Sequence, residues 1–174
     1  MGYLKKAFSI IELFVVIAAI AILFAVTVPR FSFVNRFVLQ NEVDKLFTVF
    51  SFLQQKAIAT NQEQEIIFNL TDNSYLHNLK DGKEAVCYKL PEVVKFGFLE
   101  GVKGPPSSPT KLIKNVVTFK GNKVIFFNDG KIQPGTVYLI DKDEKNMMSV
   151  TCPVSQVSCI RKYKHEGKKW ICLK

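Results

Sequence analysis

Histidine, tryptophan and paired cysteines are what this 174-residue chain has least of. It contains two histidines, one tryptophan and four cysteines. No two cysteines stand in a Cys-x-x-Cys pair, so zinc-ribbon spacing is absent. His77 and His165 complete no ligand spacing either, and no metal or other cofactor is expected. There is no nucleophile elbow, no glycine-rich phosphate loop and no paired-histidine motif, which argues against an enzyme. Acidic residues are scarce too, 15 against 24 Lys and Arg, for a formal net charge of +9. A surface of that sign can attract nucleic acid, anionic lipid or acidic proteins, although scattered charge is ordinarily a solvated face. The one short acidic cluster, Asp141, Asp143 and Glu144, lacks the ligand spacing and the glycine of an EF-hand and reads as an exposed turn between strands. The length fits one compact domain with an appendage.

Charge is missing most completely from the first thirty residues. Leu13 to Val28 carries none, with Glu12 just before it, Lys5 and Lys6 earlier, and Pro29 and Arg30 after it. Phe8–Val28 is 21 residues long. As a helix it would measure about 31 Å, the thickness of a bilayer core of about 30 Å. The run is apolar all round rather than striped, unlike a helix half-buried on a soluble core. A cleaved secretory signal would share the basic start. The run is long for its apolar region, however, and Val28-Pro29-Arg30 is a poor cleavage site. A plain anchor accounts for the length but not for Glu12, since a charge near a bilayer centre costs roughly 2.5–3.5 kcal/mol. A glutamate at a helix end near the headgroups, with nothing to pair, is one alternative for that residue. Lys5 and Lys6 before the span and Arg30 and Arg36 after it nearly tie, so charge leaves the topology open.

The stretch Lys5-Lys6-Ala7-Phe8-Ser9-Ile10-Ile11-Glu12-Leu13, followed by Val15-Val16-Ile17-Ala18-Ala19-Ile20-Ala21-Ile22-Leu23, resembles the class III signal of type IV pilins and type II secretion pseudopilins. The resemblance implies a leader over 1–7, cut by the prepilin peptidase between Ala7 and Phe8, with Phe8 then N-methylated by the same peptidase/methyltransferase. It implies a transmembrane and assembly helix over 8–30, and it casts Glu12 as the retained glutamate that pairs with the new amine of a neighbouring subunit. Ala7 departs from the family, which usually has glycine there. In low dielectric an unpaired charge is costly and a pair recovers much of that cost, so Glu12 would favour docked over lone subunits.

Past Pro29, where a bend is expected, Leu39, Val43, Leu46, Phe50, Leu53 and Ala57 recur at alternating four- and three-residue steps. This predicts an amphipathic second half of the helix over 31–61, its stripe packed on a sheet, with Asn61 in the terminating region. From Glu65 the period becomes that of strands. Strands are expected at 66–70, 75–79, 85–90, 93–98, 116–119, 124–127, 136–141, 148–151, 158–163 and 169–173, forming a β-rich head over 62–174. Lys80-Asp81-Gly82-Lys83 is a hairpin signal, and 101–109 is a Gly/Pro/Ser loop. The expected class is therefore α+β: a long N-terminal helix, membrane half plus amphipathic half, packed on an antiparallel β-rich head.

Leu53-Gln54-Gln55-Lys56-Ala57-Ile58-Ala59-Thr60-Asn61, with Val117-Thr118-Phe119, Phe126-Phe127-Asn128-Asp129-Gly130-Lys131 and Gly135-Thr136-Val137-Tyr138-Leu139, is similar to the helix end and β-domain of GspH/FimT-type minor pilins. Gln54-Gln55-Lys56 stands where that group usually has an arginine. The resemblance implies a bacterial inner-membrane, single-pass subunit with its head periplasmic or extracellular, and other pilin subunits as partners. Outside the cytoplasm an even cysteine count favours one or two disulfides. Cys152 with Cys159 is the nearest pair, leaving Cys87 with Cys172, and free buried thiols are the alternative. The tail carries Arg161, Lys162, Lys164, Lys168 and Lys169 with Tyr163 and Trp170 interleaved. Basic side chains can neutralise phosphates and aromatics can stack on bases. Some FimT-like pilins bind DNA for natural transformation through such a region, and a hairpin with one solvated face accounts for the same pattern. Two function classes compete with the pseudopilin reading: a DNA-uptake pilin, and a membrane-anchored periplasmic domain without a filament role.

Overall fold

The computed structural model describes residues 9–27, 31–78, 85–154 and 159–173. The cleavage site at Ala7 and Phe8, the bend at Pro29 and the turn at 80–83 lie outside the described residues. The chain divides into two compact units, Met1–Val34 and Asn35–Lys174. The first holds helix α1 (Ile10–Thr27). The second is built on helix α2 (Phe31–Thr60), of which it takes the part from Asn35 onward.

The stripe on α2 does what its spacing predicts. Leu39, Val43, Leu46, Phe50, Leu53 and Ala57 are all 0% exposed. Burying a side chain of the Leu, Val or Phe class contributes roughly 1.5–3 kcal/mol relative to exposure, so this face is what holds α2 in the head. The helix ends at Asn61 in the left-handed conformation (φ 52°). There the Gln62 N–H donates to the Ala57 carbonyl at 3.2 Å and the Asn61 N–H to the Ile58 carbonyl at 3.3 Å. This is a Schellman ending, which asparagine tolerates better than most residues. The Asn128 side-chain amide then donates to the Asn61 side-chain oxygen at 3.0 Å.

Among the described residues nine strands follow: β1 (Gln64–Asn69), β2 (Ser74–Asn78), β3 (Val86–Lys89), β4 (Val94–Phe96), β5 (Lys123–Phe126), β6 (Gly135–Asp141), β7 (Met147–Cys152), β8 (Arg161–Glu166) and β9 (Lys169–Leu173). They form two antiparallel sheets, ordered β3-β2-β1-β5 and β4-β6-β7-β8-β9. This is the expected α+β class, a long helix packed on antiparallel β-structure.

Two strand expectations need correction. Residues 116–119 form no strand. Val117 makes a single bridge to Val137, the Thr118 N–H donates to the Thr136 carbonyl at 2.9 Å, and the Tyr138 N–H donates to the Val116 carbonyl at 3.0 Å. One edge of β6 is thus shared, with 116–118 beside its first half and β4 beside Leu139–Asp141. The 3₁₀ turn at Lys120–Asn122 ends the short pairing. The strand expected at 158–163 instead occupies Arg161–Glu166, because the ladder with β7 starts at Thr151↔Arg161. Pro153 follows Cys152 and has no N–H to extend that ladder.

The core joins both sheets through rings. Phe50 on α2 meets Phe126 of β5 edge-on, with centroids 5.4 Å apart, and lies 6.4 Å from Phe68 of β1 and 6.3 Å from Phe119. Phe68 in turn packs edge-on against Phe96 of β4 at 5.6 Å, which carries the cluster into the second sheet. Gly135 is required here, since a Cβ on it would sit 2.3 Å from the Phe119 ring. In β6 and β7 both faces are covered. Val137, Leu139, Met148 and Val150 join the α2-side core, while Tyr138, Ile140 and Met147 form a second cluster with Phe98, Leu99, Val102, Ile113 and Trp170.

Phe50→Ala should therefore lower unfolding stability by about 3–5 kcal/mol. Phe52→Ala, on a side chain 53% exposed, should stay within about 0.5 kcal/mol of the parent. Urea unfolding of the full chain in mild detergent measures both, and equal losses would contradict this core.

Candidate functional site

Two features carry the functional expectations, and each belongs to its own unit. In the first unit, every described side chain from Ser9 to Leu23 is exposed. Ile10 and Ile11 stand at 73% and 74%, Phe14 at 68% and Leu23 at 63%. Among the described residues no helix is long and apolar enough to cross a membrane. The expected span of 21 residues reaches beyond the described part of this helix. At 18 residues, α1 is about 27 Å long, and the expected ends Phe8 and Val28 lie outside the described residues.

Glu12 has a local partner. The Ser9 N–H donates to Glu12 Oε2 at 3.4 Å, and the Ile11 N–H donates to Ser9 Oγ at 3.3 Å. The Leu13 N–H donates to the Ser9 carbonyl at 3.2 Å and opens the helix. Ser9-Ile10-Ile11-Glu12 is thus a capping box, in which serine and glutamate satisfy otherwise orphaned N–H groups at the helix start. The signal was present as Ser-x-x-Glu ahead of an apolar run, and attention to the charge alone passes over it.

In the second unit the basic tail is the β8–β9 hairpin, and it does not present a single face. Directly opposed residues in an antiparallel pair share a side. Lys162↔Leu173, Lys164↔Ile171 and Glu166↔Lys169 therefore share one side, and Tyr163↔Cys172 and His165↔Trp170 the other. On the first side Lys162 and Glu166 meet α2. Lys162 Nζ lies 2.5 Å from Asp44 Oδ1 and 4.9 Å from the centroid of the Phe47 ring, an ion pair with a cation–π contact. Lys164 is 6% exposed and ion-paired with Glu166, which also meets Arg36 at 3.6 Å. These neighbours hold the Glu166 carboxyl below its usual range, chiefly through the Lys164 hydrogen bond. Of the six candidate DNA-contacting residues, Arg161, Lys168 and Lys169 are exposed, Trp170 is half-buried, and Lys162 and Lys164 are used inside the fold.

Trp170 is fixed by its indole N–H, which donates to the Lys103 carbonyl at 2.9 Å. Its ring lies 6.1 Å from that of Tyr138 and 5.1 Å from His165. Beside it a groove of about 710 Å³ runs between the 101–109 loop and the hairpin, lined by Lys103, Lys168, Lys169, His165 and Trp170 among others. Lys103 could not be placed in this group from sequence, because the bond joining it to Trp170 spans 67 residues.

The acidic cluster is exposed only in part, since Asp141 is buried at the end of β6, which corrects the expectation of an exposed turn at that residue. Asp141 is 0% exposed and accepts the Lys145 N–H at 2.8 Å, the Asn146 N–H at 3.0 Å and the Asn146 side-chain amide at 2.6 Å. Asp143 accepts from the Asn35 amide at 3.0 Å, and Glu144 pairs with Lys95 at 2.7 Å. Three carboxylates serving three separate donor sets make a turn between strands.

The four cysteines are free thiols in this structure. Cys87 and Cys172 are exposed on β3 and β9, the outer strands of two different sheets. Cys152 is 2% exposed in the α2-side core. Burial, with Cys159 nearby, pushes its thiol up to about 12, leaving it protonated and a poor nucleophile at neutral pH.

Two solved structures of the minor pseudopilin EpsH from the type 2 secretion system of Vibrio cholerae are similar to this chain. One is 14% identical over 71% of this chain and 94% of that one, with a TM-score of 0.47. The other is 13% identical over 73% and 94%, with a TM-score of 0.48. No protein-family model and no curated protein sequence matches the chain. The α+β class stands on the chain's own helix and sheets.

In the native protein iodoacetamide should label Cys87 and Cys172 first and Cys152 only on unfolding. Peptide mass spectrometry after timed labelling reads the order, and early modification of Cys152 would contradict its burial.

Proposed function

We propose that this chain is a structural, non-enzymatic subunit of a pilin-like fibre: a minor pilin or pseudopilin of a type II secretion pseudopilus or type IV pilus. In this reading it is made as a prepilin, cut between Ala7 and Phe8, and N-methylated on Phe8. It is held in the bacterial inner membrane by its first helix until it joins the fibre. The observation that carries the reading is α1. It is an exposed helix, apolar on all sides, with one carboxylate in its first turn, inside a segment that resembles the prepilin signal. Such a surface is stable only where lipid or other apolar helices cover it. Helix α2, by contrast, buries its stripe within its own head, so the head presents itself as cargo on an assembly helix. The DNA-uptake alternative is less well served, because Lys162 and Lys164 already neutralise Asp44 and Glu166.

Intact mass of membrane-extracted protein, with and without the prepilin peptidase, separates a fibre subunit from a plain anchor. A mass for residues 8–174 plus one methyl group is expected in the presence of the peptidase. Full-length protein in both samples would refute the reading.

The role of Glu12 is tested by two substitutions. Glutamine also serves a capping box, so Glu12→Gln should keep the helix start, read by circular dichroism of an N-terminal peptide in detergent, while fibre incorporation falls. Normal incorporation of Glu12→Gln alongside failure of Glu12→Ala would make capping, and not charge, the requirement.

A further inference from the structure

The outer strands of the two sheets are β3 and β5 in one, β4 and β9 in the other, and their edges are not finished alike. The edge of β4 is closed by a side chain. The Asn73 amide donates to the Val94 carbonyl at 2.7 Å, and the Asn73 side-chain oxygen accepts the Phe96 N–H at 2.9 Å. The edge of β5 is closed by the chain's own return, where the Gln133 N–H donates to the Ile125 carbonyl at 2.9 Å. The other two edges have no such cover. Among the described residues β3 pairs only with β2 and β9 only with β8, and no backbone–backbone hydrogen bond reaches their outer sides. An unpaired strand edge is a template for another strand. Both open edges also carry an exposed thiol, Cys87 on β3 and Cys172 on β9.

The two open edges fit each other in one register. The Leu90 N–H donates to the Asn73 carbonyl on the β2 side, so by alternation Cys87 and Lys89 turn their backbone groups outward. In β9 the pair Glu166↔Lys169 closes a two-residue turn, which leaves Trp170 and Cys172 turned outward. Setting Cys87 opposite Cys172, antiparallel, brings these outward groups together. It sets Lys89 opposite Trp170, Tyr88 opposite Ile171 and Val86 opposite Leu173, with no lysine facing a lysine. A shift of two residues one way sets Lys89 against Lys168. A shift of two the other way leaves Val86 and Cys87 without a partner in β9. A shift of one sets the α2 side of one sheet against the far side of the other. In the matched register Tyr88 and Ile171 both lie on the α2 side, 42% and 44% exposed. On that side a groove of about 940 Å³ runs between β3 and α2, lined by Val38, Val49, Tyr75, Tyr88 and Pro91 among others. Neither sign of charge dominates it, with Glu42 and Asp44 against Lys45 and Lys89, so its apolar wall decides what it takes. An incoming β9 carries Ile171 into it.

We propose that β3 of one copy pairs antiparallel with β9 of a second copy, Cys87 opposite Cys172, joining the four-stranded sheet of one head to the five-stranded sheet of the next. The two surfaces differ, so the contact is head-to-tail and extends from copy to copy. Opposed residues that exchange backbone bonds have Cα atoms about 5.5 Å apart, inside the span of about 4.4–6.8 Å that a disulfide bridges. The contact uses the head alone and stands whether or not α1 is processed or membrane-embedded.

The opposed thiols make the contact measurable. The full chain carrying Cys159→Ser is held in mild detergent and treated with diamide, an azo oxidant that takes two electrons and two protons from a pair of thiols and leaves as the hydrazine. Non-reducing gels should show a ladder of dimers, trimers and longer species, and peptide mass spectrometry should find Cys87 joined to Cys172. Cys87→Ser and Cys172→Ser, added singly to that background, should each stay monomeric. Mixed together, they should give dimers that extend no further. Ile171→Lys, which sets a charge opposite Tyr88, should slow linkage at least tenfold. Ile67→Lys, on an exposed residue of the inner strand β1, should leave the rate unchanged. Slow iodoacetamide labelling of Cys152 in the reduced Ile171→Lys protein checks that the variant is folded. Four results would each overturn the proposal: no linkage, a Cys87–Cys172 bond within one copy, Cys87–Cys87 or Cys172–Cys172 dimers of the single variants as fast as the mixture links, or a rate indifferent to Ile171→Lys.

Discussion

The head depends on covering one face of α2. Its two sheets share no strand; what they share is the helix and the rings around Phe50. Phe126 and Phe68 bring the four-stranded sheet to that ring, and Phe96, through Phe68, brings the five-stranded one. A twisted sheet buries one face only if something lies on it, and here a single helix serves both. The stripe from Leu39 to Ala57 is consequently fully buried, and even the backbone gives way to it at Gly135, where the Phe119 ring leaves no room for a Cβ.

That arrangement leaves the outer face of β6 and β7 to be closed by something else, and the segment from Phe98 to Ile113 does it. The closure has an electrostatic consequence. The segment brings the Lys103 carbonyl to the Trp170 indole and so forms one wall of the basic groove. Meanwhile α2 draws Asp44 to Lys162 and Arg36 to Glu166 on the opposite side of the hairpin. Packing decides which lysines are spent inside the fold and which remain outside, and the net charge of +9 becomes directional through these contacts.

How much of this was legible follows from the range of each interaction. The α2 stripe is written in a period of 3.6, and its ending in one asparagine able to take positive φ, so both could be read locally. Strand positions could be read from alternation wherever one ladder decides them. They failed at 116–119, where β6 divides its edge between two partners, and near Ser158, where Pro153 delays the pairing. The basic tail was legible as composition but not as a surface. Neighbouring residues on β8 point to opposite sides, and only the distant partners Asp44 and Lys103 reveal which side is occupied. Cys87 and Cys172 show the same limit: spacing in sequence says nothing about β3 and β9 lying at the edges of separate sheets.

Glu12 draws the local and the distant together. In the lone chain its carboxylate caps α1 by accepting the Ser9 N–H, so it already offsets the positive end of the helix dipole. If processing frees an amine at Phe8, one residue before that cap in sequence, a second positive charge arrives at the same end. Glu12 then faces two claims, its own helix start and a neighbour's amine. In the proposed fibre, pairing between subunits would be an exchange, in which the gain is the difference between an intersubunit ion pair in low dielectric and an intrasubunit cap. A cap at a helix start is worth about 1 kcal/mol, while leaving a buried charge unpaired costs several. The exchange favours docking once water is excluded around the helix and favours the cap while it is not, so one carboxylate can stabilise the waiting subunit and the assembled one in turn.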